Sequence, residues 1–133
     1  MKVDSATRLY TVLGDPVAHS LSPLMHNSAF EETGINGVYV ALRVTDPKAA
    51  VGAVRSLGIA GCSVTIPHKA AVFPYLDEVT SFARKVGAVN TIINRGGCLL
   101  GDNTDGPAAL ASLQSKIEVA GKKVALIGAG GAA

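Results

Sequence analysis

Residues 8–23 read Arg8-Leu9-Tyr10-Thr11-Val12-Leu13-Gly14-Asp15-Pro16-Val17-Ala18-His19-Ser20-Leu21-Ser22-Pro23. The first six are rich in Leu, Tyr and Val and read as a strand. Gly14-Asp15-Pro16 ends it. Ser22-Pro23 then reads as a helix start, with Ser at the N-cap and Pro at the first helical position. That helix is expected to run to about residue 33, with Gly34 at its C-terminal cap. A strand, a tight loop and a helix make the first half of a strand–helix–strand unit.

The alternation continues outward from this segment. Residues 38–44 read as a second strand, Asp46-Pro47 repeats the helix-start signal, and Ala50, Val54 and Leu57 follow at helical spacing before Gly58. Residues 59–66 read as a third strand closed by Pro67. Residues 70–76 and 81–86 look helical, interrupted at Pro74. Residues 88–94 and 98–100 are strand-like, and Arg95-Gly96-Gly97 between them is a hairpin signal. Leu110, Leu113 and Ile117 mark a helix after Gly106-Pro107. Residues 123–127 contain a last apolar run. The expected fold class is α/β, a mostly parallel sheet flanked by helices. Residues 118–122 are the expected domain boundary, which divides the chain into 1–119 and 120–133.

The composition excludes several classes. The chain has 133 residues, 48% of them hydrophobic and 17% charged, which suits a folded domain and not a solvated chain. Its net charge of +2 is too weak and dispersed for a nucleic-acid footprint. There is no apolar run long enough to span a membrane. The N-terminal MKVDSATRLY has an acid and no apolar segment, so a signal peptide is not expected. Cys62 and Cys98 have no CxxC spacing and suit a reducing cytoplasm as small apolar side chains. The three histidines have no ligand spacing with the cysteines, so no metal is assigned.

Five segments carry chemistry. In the first, Ser20 and Ser22 offer hydroxyls just before a helix N-terminus, where exposed amides favour an anion such as a carboxylate. The same pattern suits a plain helix cap at Ser22. In the second, Ser63-Val64-Thr65-Ile66-Pro67-His68-Lys69, a lysine sits at an expected first helical turn. A cation there opposes the helix dipole, which lowers its pKa unless an acid compensates. A lysine so tuned can serve as general base, whereas an untuned one is a solvated surface group. In the third, Gly87-Ala88-Val89-Asn90-Thr91, the Asn90 amide can hold a hydroxyl with donor and acceptor together, or bond local backbone.

The fourth segment is Gly101-Asp102-Asn103-Thr104-Asp105-Gly106. Counted from Asp102 it fails the calcium-loop spacing. An acid here either caps a helix or pairs with a lysine and shares its proton. In the fifth, Val124-Ala125-Leu126-Ile127 runs into Gly128-Ala129-Gly130-Gly131-Ala132-Ala133. Such a turn lets backbone amides approach a pyrophosphate at a helix N-terminus, although a glycine run is also the composition of a flexible tail.

Taken together and in this order, G-D-P-V-A-H-S-L-S-P, S-V-T-I-P-H-K, G-A-V-N-T, G-D-N-T-D-G and G-A-G-G-A resemble the shikimate dehydrogenases, from Tyr10 to Ala133. The resemblance implies a two-domain dehydrogenase with a substrate-binding domain and a Rossmann-type NADP domain. The implied reaction is reversible hydride transfer between NADPH and 3-dehydroshikimate, giving shikimate. By motif, Ser20 and Ser22 would hold the substrate carboxylate. Thr65, Asn90 and Asp105 would bind ring hydroxyls, and Lys69, paired with Asp105, would be the catalytic lysine. Gly128, Ala129, Gly130, Gly131 and Ala132 would begin the cofactor site. A cytoplasmic setting and a possible homodimer belong to the same expectation.

Many bacterial members read Asn-Val-Thr where this chain has Ser63-Val64-Thr65. The shorter Ser63 would weaken that substrate contact or make it water-mediated. The S-V-T-I-P-H-K wording resembles members fused to dehydroquinate dehydratase and leaves a quinate or dual-specificity enzyme as an alternative. A non-catalytic hydroxy-acid-binding module is another alternative. The resemblance also implies that the chain comprises the substrate domain and the first strand of the cofactor domain. It is therefore expected to lack turnover alone, which a steady NADP-dependent rate with shikimate would refute.

Overall fold

The computed structural model describes residues 3–128. Among them are six strands: β1 (Arg8–Gly14), β2 (Gly37–Arg43), β3 (Gly61–Val64), β4 (Glu78–Val79), β5 (Thr91–Arg95) and β6 (Cys98–Asp102). Four α-helices accompany them: α1 (Ser22–Thr33), α2 (Pro47–Ser56), α3 (Ser81–Val86) and α4 (Asp105–Gln114). No helix among the described residues is long and apolar enough to cross a membrane.

The strands form one sheet in the order β2-β1-β3-β5-β6-β4. β1 runs parallel to both β2 and β3, and β4 runs parallel to β6. β5 is antiparallel to β3 and β6. The sheet is thus mixed, with the expected parallel pairing concentrated around β1. The antiparallel β5–β6 pairing follows from the Gly96-Gly97 turn, whose φ values of 61° and 98° fold β6 directly back on β5.

β1 has β2 on one side and β3 on the other, so the crossovers through α1 and α2 leave in opposite directions. With both right-handed, the two helices lie on opposite faces. The burial pattern agrees. Leu13, Cys62, Val64, Ile92 and Leu99 pack with Val51 and Val54 of α2 in the larger core. Val12, Val17 and Tyr39 form a smaller cluster, joined by Tyr10, Ala41 and Phe30 of α1. Successive strand residues point to opposite faces, which is why Val12 and Leu13 serve different clusters.

Helix signals were legible with exceptions. Asp46 caps α2 by accepting from the Lys48 and Ala49 amides, and Gly34 closes α1 at φ 69°. Ser22 is not the N-cap of α1. Leu21 holds that position with no side-chain cap, and the Ser22 amide donates to Ser20 Oγ at 3.3 Å. Residues 70–76 form turns and a short 3-10 segment, Phe73–Tyr75, in place of a helix. There the Lys69 carbonyl accepts from the Val89 amide, so the backbone is spent on a tertiary bond. The expected strand at 123–127 does not form, and Val124, Leu126 and Ile127 are exposed. Strand β4, only two residues long, carried no sequence signal. Cys62 is buried as expected, but Cys98 is exposed, because it opens β6 beside the hairpin turn.

Candidate functional site

The carboxyl ends of the parallel strands β1 and β3 meet where the crossover connections leave in opposite directions, the usual location of a crevice in such sheets. Three bonds tie the strand ends: Thr65 N–H to the Leu13 carbonyl, Asp15 N–H to Ile66, and Val44 N–H to Gly14. The approach is so close that a Cβ on Gly14 would collide with Thr65 Cγ2, so only glycine fits there. Above this floor opens a cleft of about 810 Å³. Ser20, Ser22, Thr65, Lys69, Asn90 and Asp105 all line it, so the six residues singled out for substrate binding and catalysis converge from four loops.

Lys69 leaves the turn after β3, and its side chain is 15% exposed. Its Nζ lies 2.5 Å from Asp105 Oδ2. No helix starts at Lys69, so the expected helix-dipole effect has no source. The partner acid is present instead. Asn90 Nδ2 donates to the other carboxylate oxygen, Oδ1, at 2.7 Å and to Thr104 Oγ1 at 2.9 Å. The Asn90 carbonyl oxygen accepts from the Thr104 amide and from Thr91 Oγ1. Asn90 itself stands just before β5, where its backbone joins Val64 to Asp102. Its amide thus bonds the Thr104 backbone, 14 positions away, and the Asp105 carboxylate in the cleft.

Asp105 is placed by a residue that the sequence reading passed over. Asn103 is buried, and its Oδ1 accepts from the Asp105 and Gly106 amides while Nδ2 donates to the Ala88 carbonyl. It performs the capping work that the acid was expected to do. The detectable signal was an Asn followed two residues later by the helix. Gly106 next to Asp105 packs on Phe82 of α3, and a Cβ there would lie 2.6 Å from Phe82 Cζ. The start of α4, and with it Asp105, is therefore seated against α3.

His68 follows Pro67 in the same turn but does not join the lysine. Its ring is buried and Nε2 meets the Val44 carbonyl at 2.7 Å, which pins the turn to the end of β2. Burial pushes the Cys62 thiol up to about 12, so it is an inert core group. Of the proposed cofactor residues only Gly128 is among those described, with φ 108°. Ala129, Gly130, Gly131 and Ala132 lie outside the described residues. The stretch before Gly128 joins no strand among the described residues.

Comparison with known proteins points the same way. Residues 12–92 match the family model of the shikimate dehydrogenase substrate binding domain. The chain is 53% identical to a shikimate dehydrogenase (NADP(+)) of Geobacillus sp. (strain WCH70), covering 95% of this chain and 47% of the relative. It is 48% identical to the protein of that name from Thermococcus kodakarensis, covering 97% and 48%. Among solved structures, shikimate 5-dehydrogenase from Thermus thermophilus in complex with shikimate matches with a TM-score of 0.83 and 41% identity, covering 95% and 49%. The chain spans about half the length of the curated relatives it matches.

Proposed function

Because this chain belongs to the shikimate dehydrogenase substrate-binding domain family, we propose that its cleft binds shikimate and 3-dehydroshikimate within an NADP-dependent shikimate dehydrogenase. One observation carries the reading. Lys69 Nζ meets Asp105 Oδ2 at 2.5 Å inside a cleft that also presents the Ser20 and Ser22 hydroxyls. A six-membered hydroxy acid needs both kinds of group, donors for its carboxylate and a proton acceptor at the reacting hydroxyl.

In the oxidative direction Lys69 Nζ takes the hydroxyl proton as hydride leaves the same carbon, and a carbonyl forms. In reduction the lysine returns that proton to the oxygen. The nicotinamide cofactor, when bound, would take that hydride as NADP+ in oxidation and supply it as NADPH in reduction. Asp105 fixes the lysine and, with Asn90 and Thr65, receives ring hydroxyls. Ser20 and Ser22 hold the carboxylate and so set which ring carbon faces Lys69. Residues 1–119 form the substrate domain of this reading, and 120–133 begin a nucleotide domain. A cytoplasmic setting and a homodimer complete the proposal, the latter open to test by sedimentation.

The direct test is an amide NMR titration of the chain with shikimate, then quinate. The expected outcome is a set of shifts near Ser20, Ser22, Lys69, Asn90 and Asp105, larger with shikimate. A dispersed spectrum that ignores both acids would count against the reading, and a stronger response to quinate would reassign the substrate.

A further inference from the structure

Deepening the proposed binding of a hydroxy acid, on which it rests, we infer that Tyr39 is a positioning residue that aims the Ser63 hydroxyl proton into the cleft and so gives the short Ser63 side chain a ligand-binding role. Tyr39 stands on β2 and Ser63 on β3, with β1 between them. The phenol reaches across β1 and donates to Ser63 Oγ at 2.7 Å. The direction follows from acidity, since a phenol is the stronger donor and an aliphatic hydroxyl the better acceptor. With one lone pair of Ser63 Oγ occupied by Tyr39, its own proton points elsewhere. Among the described residues Ser63 Oγ makes no second hydrogen bond. Thr91, the register partner of Ser63, donates its own proton to Asn90 Oδ1 and makes no bond to Ser63 Oγ. Ser63 lines the cleft and also the neighbouring recess beside Tyr39, and a ligand oxygen in the cleft is placed to accept its proton.

Tyr39 is held unusually firmly for a residue on an edge strand. Asn27 of α1 pairs with both of its backbone groups, donating to the Tyr39 carbonyl at 2.9 Å and accepting from its amide at 2.8 Å. The His26 ring stacks on the phenol ring, with centroids 4.3 Å apart and planes 18° apart. Val12 and Val17 bury it from the side. A ring locked on three sides delivers its hydroxyl to one place, and that place is Ser63. Preorganised donors of this kind lose little entropy when a ligand binds.

The test is a double-mutant cycle read as the dissociation constant of shikimate on the 133-residue chain, by calorimetric titration. Tyr39→Phe and Ser63→Ala should each weaken binding about 3- to 10-fold, the range of a single neutral hydrogen bond. The double variant should bind no more weakly than either single variant. Ser63→Asn in the Tyr39→Phe background should restore affinity, because the amide carries its own directed donor, and a merely structural loss would not be rescued this way. Additive effects, or a Ser63→Ala variant with unaltered affinity, overturn the inference whatever Tyr39→Phe does. A wild-type chain that does not respond to shikimate overturns the proposed function itself, and this inference with it.

Discussion

The two sides of the cleft are built in opposite ways. On the side of β5 and β6, Lys69, Asp105 and Asn90 are bonded to one another, Asn103 seats the carboxylate and Phe82 backs the turn. On the β1 side, Ser20 and Ser22 share a single backbone bond of 3.3 Å, and α1 behind them contributes no buried residue. The difference separates two tasks. A group that must move a proton at a fixed atom is positioned beforehand by partners within the protein. A group that grips a ligand keeps its donors free for that ligand.

Four experiments sharpen or break this contrast. The largest effect belongs to Lys69→Ala. In the dehydrogenase carrying this chain, kcat should fall about 100- to 10,000-fold, the span of lost general acid–base catalysis. A loss confined to KM would instead make the lysine a binding group like the serines. Next comes Asn103→Ala, which orphans the Asp105 and Gly106 amides and the Ala88 carbonyl. It should cost about 2 kcal/mol in urea unfolding, because it removes a cap and leaves buried polar groups unpaired. An unchanged midpoint would mean that Asp105 is seated by Phe82 alone.

Ser20→Ala and Ser22→Ala should leave that midpoint in place and weaken shikimate binding several-fold, the size of one hydrogen bond to a carboxylate. If they destabilise the fold instead, the two sides are not built differently. The smallest effect lies away from the cleft. Asp77 accepts from Arg55 and from the Leu99 amide, and these bonds hold its carboxyl below the usual range. A carboxylate depressed by folding contributes stability that is present above its unfolded pKa and lost as pH falls through its folded one. Asp77→Asn should therefore flatten the acid limb of stability below about pH 4 while leaving shikimate binding intact. An equally steep limb in the variant would assign acid sensitivity elsewhere.

Much of the fold was legible because its signals are local. The Asp46-Pro47 start, the Gly34 stop and the Gly96-Gly97 hairpin each act within a few residues, and each formed as read. The misreading at 70–76 has the opposite character. Residues 70–76 have helical composition, but the Lys69 carbonyl is drawn to Val89, and a 3-10 turn results. Residues 123–127 are a different case: they have strand composition but were expected to have no sheet of their own to join, and among the described residues they form no strand.

The cleft residues were found as motifs, one segment at a time, and each segment alone admitted a bland reading. The sequence by itself determined which side chains could carry the chemistry: two serines, a threonine, an asparagine, a lysine and an acid, each next to a turn. It also determined the strand–helix rhythm that brings such turns to one edge of a sheet. The pairing of Lys69 with Asp105, 36 positions away, came from the resemblance and not from either segment. Only the tertiary structure decided that Asn90 joins them, that Asn103 seats the acid, and that Tyr39 reaches Ser63 across an intervening strand. The physical reason is range. Propensities and caps act between neighbours in sequence, while a hydrogen bond between side chains depends on where the packed sheet sets their backbones, which no single segment contains.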